Sequence, residues 1–335
     1  MTNKVRWGLV STANINRRTI PAIRMSERGQ LVAVGSRSIG KARGYAAEWG
    51  IPQAFGSYEE MFASGEVDAV YVSVPNEMHA PLTIQALEAG VHVLCEKPFS
   101  VTVENVDAMF AAAKKNNRVL AEAFMYRHQP QTKKVGELIQ SGKLGEIRSF
   151  SGSFSFPIST EQVDGQRNVR LEAGLGGGSL WDVGIYPVSL AQYVMGGPPK
   201  QVWGQQSTQF DIDMSFAGQM AYGDGRTAHF TCSFDSAFQT RAEIRGTLGR
   251  LELTRPFTGT DEPDRSLKFF PKQGDAEEIE IENVDEYLYL GEVNDMNASI
   301  LDGAESYLSA EETRNHVRTA LALYQSAAEN QIVEL

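Results

Sequence analysis

At 335 residues the chain exceeds the roughly 250–300 at which single cores stop growing, so two domains are expected. A net charge of −11 argues against nucleic acid or an anionic membrane as a main partner, though it leaves room for a local basic pocket that takes a phosphate. Two distant cysteines, Cys95 and Cys232, form neither a disulfide framework nor a metal-ligand pattern. With no leader-like N-terminus and no apolar run of about 18–20 residues, a cytoplasmic location is expected.

In chain order, Val5–Val10 reads as a buried strand, Leu31–Ser36 as a second and Ala69–Val74 as a third; Val91–Leu94 and Val119–Ala123 follow. Helical patterns fall between them at Ile39–Trp49, Tyr58–Ala63, Ala80–Ala89 and Val103–Lys115. Pro21 is expected to open a new helical segment, because its missing N–H is harmless only in a first turn. This alternation implies right-handed βαβ units, hence a doubly wound parallel sheet of the nucleotide-binding kind.

After about residue 125 the rhythm changes. Pro130–Ser141 reads as a helix ended by Gly142. Strand-like segments then follow one another: Arg148–Phe156, Gln201–Thr208, Met214–Tyr222, Thr227–Phe234, Thr240–Arg245, Arg250–Leu253 and Glu277–Ile281. Turns at Gly223-Asp224-Gly225 and Gly246–Gly249 separate several of them, so a large, mostly antiparallel open sheet is expected. Ala310–Asn330 is helical again, with Ser309 as N-cap. The expected organisation is α/β followed by α+β: a dinucleotide-binding domain over 1–124 and a substrate-binding and oligomerisation domain over 125–335. Its C-terminal helix is free to pack back on the first domain.

Five segments could carry chemistry. The turn after strand one reads Ser11-Thr12-Ala13-Asn14-Ile15-Asn16, without a glycine where G-x-G-x-x-G would stand. Small Ser11 and Ala13 still allow close backbone approach, and helix N–H groups could still hold phosphate. Strand two ends in Ser36, Arg37 and Ser38, with Lys41 beyond. A carboxylate there would bind a ribose 2′-hydroxyl; hydroxyls and cations instead suit a 2′-phosphate, favouring NADP(H) over NAD(H).

The next strand ends in Val74, Pro75 and Asn76 at the crevice, which with His79 are expected to line the cofactor; His79 is read as a packing residue rather than a base. A further strand runs into Glu96, Lys97 and Pro98, whose lysine points at the cofactor and whose proline could be cis. In the second half, Gly176-Gly177-Gly178-Ser179 turns into a helix that sets Asp182 and Tyr186 at i, i+4 on one face.

Together VSTANI (Val10–Ile15), SVPNEMH (Ser73–His79), CEKP (Cys95–Pro98), EAFMYR (Glu122–Arg127) and GGGSLWDVGIYP (Gly176–Pro187) resemble the glucose–fructose oxidoreductase/inositol dehydrogenase family (Gfo/Idh/MocA) along nearly the whole chain. Many members carry His after D-x-G-x; Tyr186 resembles the branch of glucose–fructose oxidoreductase, NADP-dependent xylose dehydrogenases, anhydrofructose reductases and dimeric dihydrodiol dehydrogenases. Asn168–Leu171 is similar to its sugar-oxidising members. The resemblance implies a Rossmann domain, Lys97 and Tyr186 as catalytic pair, Asp182 beside them, and a homodimer or homotetramer built on the C-terminal sheet.

A phenol has a pKa of about 10, too high for an efficient base near neutrality, and a nearby ammonium would lower it. Lys97 would therefore polarise Tyr186, which exchanges the proton with a sugar-like substrate; Asp182, Arg127 and Arg170 are candidates for polar substrate contacts. Three alternatives stay open: a trans-dihydrodiol dehydrogenase or carbonyl reductase, a nucleotide-linked glycosidase, and a non-catalytic NADP(H)-binding regulator. No metal ion is expected.

Overall fold

The computed structural model describes residues 4–162, 167–258 and 265–335. The chain divides into two compact units, Met1–His128 with Tyr287–Thr313, and Gln129–Glu286 with Arg314–Leu335.

In the first unit β1 (Val5–Val10), β2 (Gly29–Gly35), β3 (Gln53–Phe55), β4 (Ala69–Val72), β5 (His92–Glu96) and β6 (Leu120–Ala123) form one parallel sheet. Its order is β3-β2-β1-β4-β5-β6, in which the direction of winding reverses between β1 and β4. Ligand crevices open at the carboxyl end of such a reversal. The crossovers are α1 (Asn16–Met25), α2 (Ile39–Trp49), α3 (Tyr58–Ala63), α4 (His79–Glu88) and α5 (Val103–Asn116). Side-chain caps explain why three of them start where they do. Ser38 accepts from the Lys41 N–H at 3.5 Å, Ser57 from Glu60 at 3.1 Å and Thr102 from Asn105 at 3.2 Å. Pro21 opens no new segment. It lies inside α1, which runs on through it and so lacks one interior hydrogen bond. The short edge strand β3 has no counterpart in the sequence-based expectations.

The second unit starts with α6 (Pro130–Gln140) and β7 (Ile147–Ser155), and continues with α7 (Ile185–Met195). It then runs through β8 (Gln201–Gln209), β9 (Ile212–Ala221), β10 (Thr227–Ser233), β11 (Gln239–Gly246), β12 (Gly249–Thr254), β13 (Leu267–Pro271) and β14 (Glu277–Ile279). With β15 (Val333–Glu334) these strands make a sheet ordered β14-β13-β12-β11-β7-β10-β9-β8-β15. Pairing is antiparallel except between β7 and β10, which are parallel. Side chains alternate as a one-sided sheet requires. Phe150, Phe216, Phe230, Ile244, Leu251 and Leu267 are buried, whereas Gln205, His229, Thr231 and Arg241 are exposed.

Of the last two helices, α8 (Leu290–Asp302) lies in the first unit, and α9 (Ala310–Glu329) begins there and continues from Arg314 in the second. Helix α8 packs on the first: Trp7 Nε1 donates to Asn297 Oδ1 at 3.0 Å, Ser26 Oγ to Asn294 at 2.7 Å, and Arg28 pairs with Asp302 through both nitrogens. Helix α9 then lies on the second unit's sheet, where Ser326 Oγ accepts from the Gly204 N–H at 3.0 Å. Its start is a reciprocal capping box. Ser309 Oγ accepts from Glu312 N at 3.2 Å, and Glu312 Oε2 accepts from Ser309 N at 3.1 Å.

Candidate active site

The turn after β1 keeps a tight bend without glycine. Ser11 stands at φ +112°, a conformation that L-residues other than glycine seldom adopt. A local network holds it there. Ser11 Oγ accepts from the Ala13 N–H at 3.1 Å and lies 3.0 Å from Ser73 Oγ. Ser73 Oγ donates to Asn16 Oδ1 at 2.7 Å, and Asn16 Nδ2 donates back to the Ser11 carbonyl at 2.9 Å. Thr12, Ala13, Asn14 and Ile15 then lead into the N-terminus of α1, where the helix dipole favours an anion.

Beside this turn lies a cleft of about 300 Å³ lined by Thr12, Asn14, Arg17, Lys41, Tyr45 and Glu48. Arg17 is 3.7 Å from Glu48 within it. Lys41 was expected at such a place; Arg17 and Tyr45 were not. Ser36 is buried after β2, while Arg37 and Ser38 are exposed. Arg17 and Lys41 outweigh Glu48 by one positive charge, and with a hydroxyl and a phenol around the cleft they suit a phosphate-bearing nucleotide.

At the ends of β4 and β5, Val74, Pro75 and Asn76 are half-buried and His79 is buried. His79 Nδ1 lies 2.9 Å from the Pro98 carbonyl and Nε2 2.9 Å from the Val74 carbonyl. The ring lies between the two strand ends; burial pushes its pKa down while the carbonyls oppose that push, and in the neutral form only one of its nitrogens donates to a carbonyl. The Lys97–Pro98 peptide is cis. Glu96 accepts from the Tyr71 hydroxyl and, at 3.1 Å, from the Lys97 amide, and Lys97 itself is half-buried.

In the second unit a π-helical turn, Leu180–Gly184, runs into α7, so Asp182 and Tyr186 are not on a single regular α-helix as the spacing suggested. Pro187 sits at the junction and has no N–H for a regular ladder. Asp182 is mostly buried and accepts from Arg170 Nε at 2.7 Å, which brings two of the expected substrate residues together. The Tyr186 ring packs between Phe154, at 5.3 Å, and Phe257, at 5.6 Å between centroids.

A buried carboxylate anchors this helix start. Asp213 Oδ2 accepts from Ser179 Oγ at 2.6 Å and from the Leu180 N–H at 2.7 Å; its Oδ1 accepts from Tyr324 of α9 at 2.6 Å. Burial pushes the Asp213 pKa up, and the donors oppose that push.

Residues 5–124 match the oxidoreductase family model with an NAD-binding Rossmann fold, and 132–252 match the GFO/IDH/MocA C-terminal domain. The chain belongs to the GFO/IDH/MocA oxidoreductase family. Over 332 residues it is 34% identical to D-xylose 1-dehydrogenase (NADP(+)) 2 of Haloferax volcanii, covering 98% of this chain and 99% of that one. The aldose-aldose oxidoreductase of Caulobacter crescentus, solved with glycerol, superposes with a TM-score of 0.90 at 27% identity, over 99% of this chain and 100% of that one. A 3-ketoreductase from Actinomadura kijaniata, solved with NADP and TDP-benzene, gives 0.87 at 28% identity, over 97% and 98%.

As a GFO/IDH/MocA protein the chain is a nicotinamide-nucleotide-dependent oxidoreductase that acts on a small organic substrate. Among the described residues of this family member, no cluster of three His, Cys, Asp or Glu could hold a metal ion. No helix among them is long and apolar enough to cross a membrane. Arg127 is buried, donates to Glu312 at 3.0 Å and lies over the Tyr307 ring, both in the first unit. Arg17, Tyr45, Asp213 and Tyr324 escaped the sequence. The only advance signal was the carboxylate of Asp213 inside an otherwise apolar strand pattern, Ile212-Asp213-Met214.

Proposed function

We propose that this enzyme moves a hydride between NADP(H) and a sugar or sugar-like substrate, oxidising an aldose at C1 or reducing the corresponding carbonyl. Lys97 and Tyr186 are the catalytic pair. The observation that carries the reading is the helix start in which Tyr186, backed by aromatic rings, follows Asp182 and its Arg170 partner. A phenol and a carboxylate four residues apart suit a substrate with more than one hydroxyl. The names of the three relatives, two of them aldose enzymes and one a ketoreductase, support the same class.

When bound, the nicotinamide accepts or returns the hydride. The protein's part is to manage the proton. In oxidation Tyr186 Oη takes the proton of the reacting hydroxyl; the Lys97 ammonium favours the phenolate that makes this efficient. Asp182 accepts a hydrogen bond from a second hydroxyl and so orients the ring. Ser11–Ile15 and the N-terminus of α1 hold the pyrophosphate, with Val74–Asn76 and Glu96–Pro98 lining the nicotinamide end. Ser36, Arg37, Ser38 and Lys41, joined by Arg17 and Tyr45, hold the 2′-phosphate.

Purified protein mixed with NADP⁺ and a panel of aldoses tests the reading through nicotinamide absorbance. Reduction with at least one aldose is expected. Absorbance that stays flat with every sugar but rises with dihydrodiols would replace the substrate class; flat traces throughout would favour a regulatory binder.

The nucleotide preference has its own test. Lys41→Ala is expected to weaken NADPH binding about tenfold, the value of one charge-assisted hydrogen bond, and to change NADH binding by less than about twofold. Equal losses for both nucleotides, read by fluorescence titration, would remove Lys41 from the 2′-phosphate site. We further propose a homo-oligomer formed through the exposed face of the second unit's sheet, which sedimentation of the purified protein would test.

A further inference from the structure

Tyr71 is the one aromatic residue of β4, which lies between β1 and β5, and it is wholly buried. Its register partner on β5 is Leu94. Side chains two residues apart share a face of a sheet. Glu96 therefore stands on the face of Tyr71, about 6.6 Å nearer the carboxyl ends of the strands. An aliphatic side chain would stop short of it. A phenol leaning along the strand spans the gap, and the Tyr71 hydroxyl donates to Glu96 Oε1.

The other carboxyl oxygen, Glu96 Oε2, accepts from the Lys97 amide at 3.1 Å. A glutamate side chain has three rotatable bonds, and a second partner narrows the rotamers that keep one oxygen on that amide. The Tyr71 hydroxyl is that second partner. Burial, then the neighbouring Glu96, pushes the Tyr71 pKa well above the ordinary phenol value, so the hydroxyl stays a donor at working pH. Just beyond Lys97, the buried His79 lies 2.9 Å from the Pro98 carbonyl. The backbone on both sides of Lys97 thus meets buried polar side chains. Lysine carries its ammonium on a flexible four-carbon stem, so the reach of that ammonium depends on how firmly the backbone beneath it is held.

We propose that Tyr71 is a positioning residue for the reaction: through the Glu96 carboxyl it holds the Lys97 backbone and so sets where the Lys97 ammonium stands. The kinetic half of this rests on the reading of Lys97 as catalytic. Tyr71 is 0% exposed and touches neither substrate nor nucleotide, so its effect on turnover passes through Glu96.

Tyr71→Phe keeps the ring and removes the hydroxyl. In the intact protein carrying ¹⁵N-lysine, the Lys97 amide resonance is assigned by its loss in Lys97→Ala. In Tyr71→Phe that resonance is expected to move upfield and its proton to exchange faster with solvent, because the bond to Glu96 loosens. A resonance unchanged in both position and exchange overturns the proposal without any activity measurement.

Kinetically, Tyr71→Phe is expected to lower kcat roughly tenfold, inside the hundredfold that a 1 Å misplacement can cost. The KM for the aldose and the Kd for NADP⁺ are expected to stay within about twofold of wild type. In a Lys97→Ala background the same substitution is expected to change kcat by less than about twofold, since no ammonium is left to place. Equal losses in both backgrounds, or a loss confined to KM, would show that Tyr71 does not act through Lys97. Val70→Ala, at the next buried position of β4, controls for general loosening of the strand: Tm is expected to fall while the Lys97 resonance and kcat stay near wild type. If Val70→Ala reproduces both effects, the hydroxyl has no special part and the proposal fails. Unaltered turnover in Lys97→Ala would instead fault the reading of Lys97 and leave the amide result standing.

Discussion

Replacing Tyr186 by phenylalanine is expected to lower kcat by about 10²–10⁴-fold, the range over which positioned proton transfer contributes, with NADP(H) affinity near wild type. The substitution is clean because of where the ring sits. Tyr186 is 4% exposed and lies against Phe154 and Phe257, so a phenylalanine ring keeps every apolar contact and removes only the hydroxyl. Stability should change by less than about 1 kcal/mol, which denaturant unfolding would verify. Nucleotide binding should be indifferent, since the residues assigned to the dinucleotide all come from the first unit. Pre-steady-state measurement of nicotinamide reduction isolates the chemical step. A burst rate within a few-fold of wild type would assign the proton to another group and leave Tyr186 as packing.

How much of this could be read from the sequence depended on whether the signal was local. Helices Ile39–Trp49 and Tyr58–Ala63 match their predicted spans because each begins on a serine whose hydroxyl caps it. The parallel and mostly antiparallel sheets were both legible, since burial on two faces gives continuous apolar runs and burial on one face gives alternation. Helix α8 was invisible for the opposite reason. Beside Val293 and Met296 it buries Glu292, Asn297 and Ser299, so polar residues interrupt its apolar face. Strand β3 is three residues long and half-buried throughout, too short for a period to appear.

The same contrast holds at the site. Lys97, Asp182 and Tyr186 stand in short motifs that announce themselves. Asp213, by contrast, acquires its meaning from Ser179, 34 residues before it, and from Tyr324, 111 residues after it. Arg17 and Tyr45 meet across a cleft formed by two separate helices. No periodicity along the chain encodes such a meeting. The loss of glycine from the first turn is also explained only in three dimensions, by the Ser11–Ser73–Asn16 network that holds a positive φ.

Gly178→Ala is expected to destabilise the second unit by about 3 kcal/mol or more and to depress kcat beyond what the unfolded fraction explains. Gly178 has φ +128°, a region L side chains rarely enter. A Cβ built there would land on Asp213 Oδ1 and lie 2.8 Å from the Tyr324 hydroxyl. Neither neighbour can yield cheaply. Asp213 is 2% exposed, and its two oxygens already serve Ser179, Leu180 and Tyr324. Pushing it aside strands a buried carboxylate, a penalty of roughly 1–3 kcal/mol for each unmade bond. Moving the turn instead shifts the helix start that carries Asp182 and Tyr186, so chemistry suffers with stability. Gly174→Ala is the matched control, because a Cβ there meets nothing within 4 Å and its φ is not positive; a change below about 0.5 kcal/mol is expected. Denaturant midpoints for the two variants decide the matter. Equal midpoints would mean that Asp213 does not govern the turn, and the link from that carboxylate to the catalytic helix would have to be abandoned.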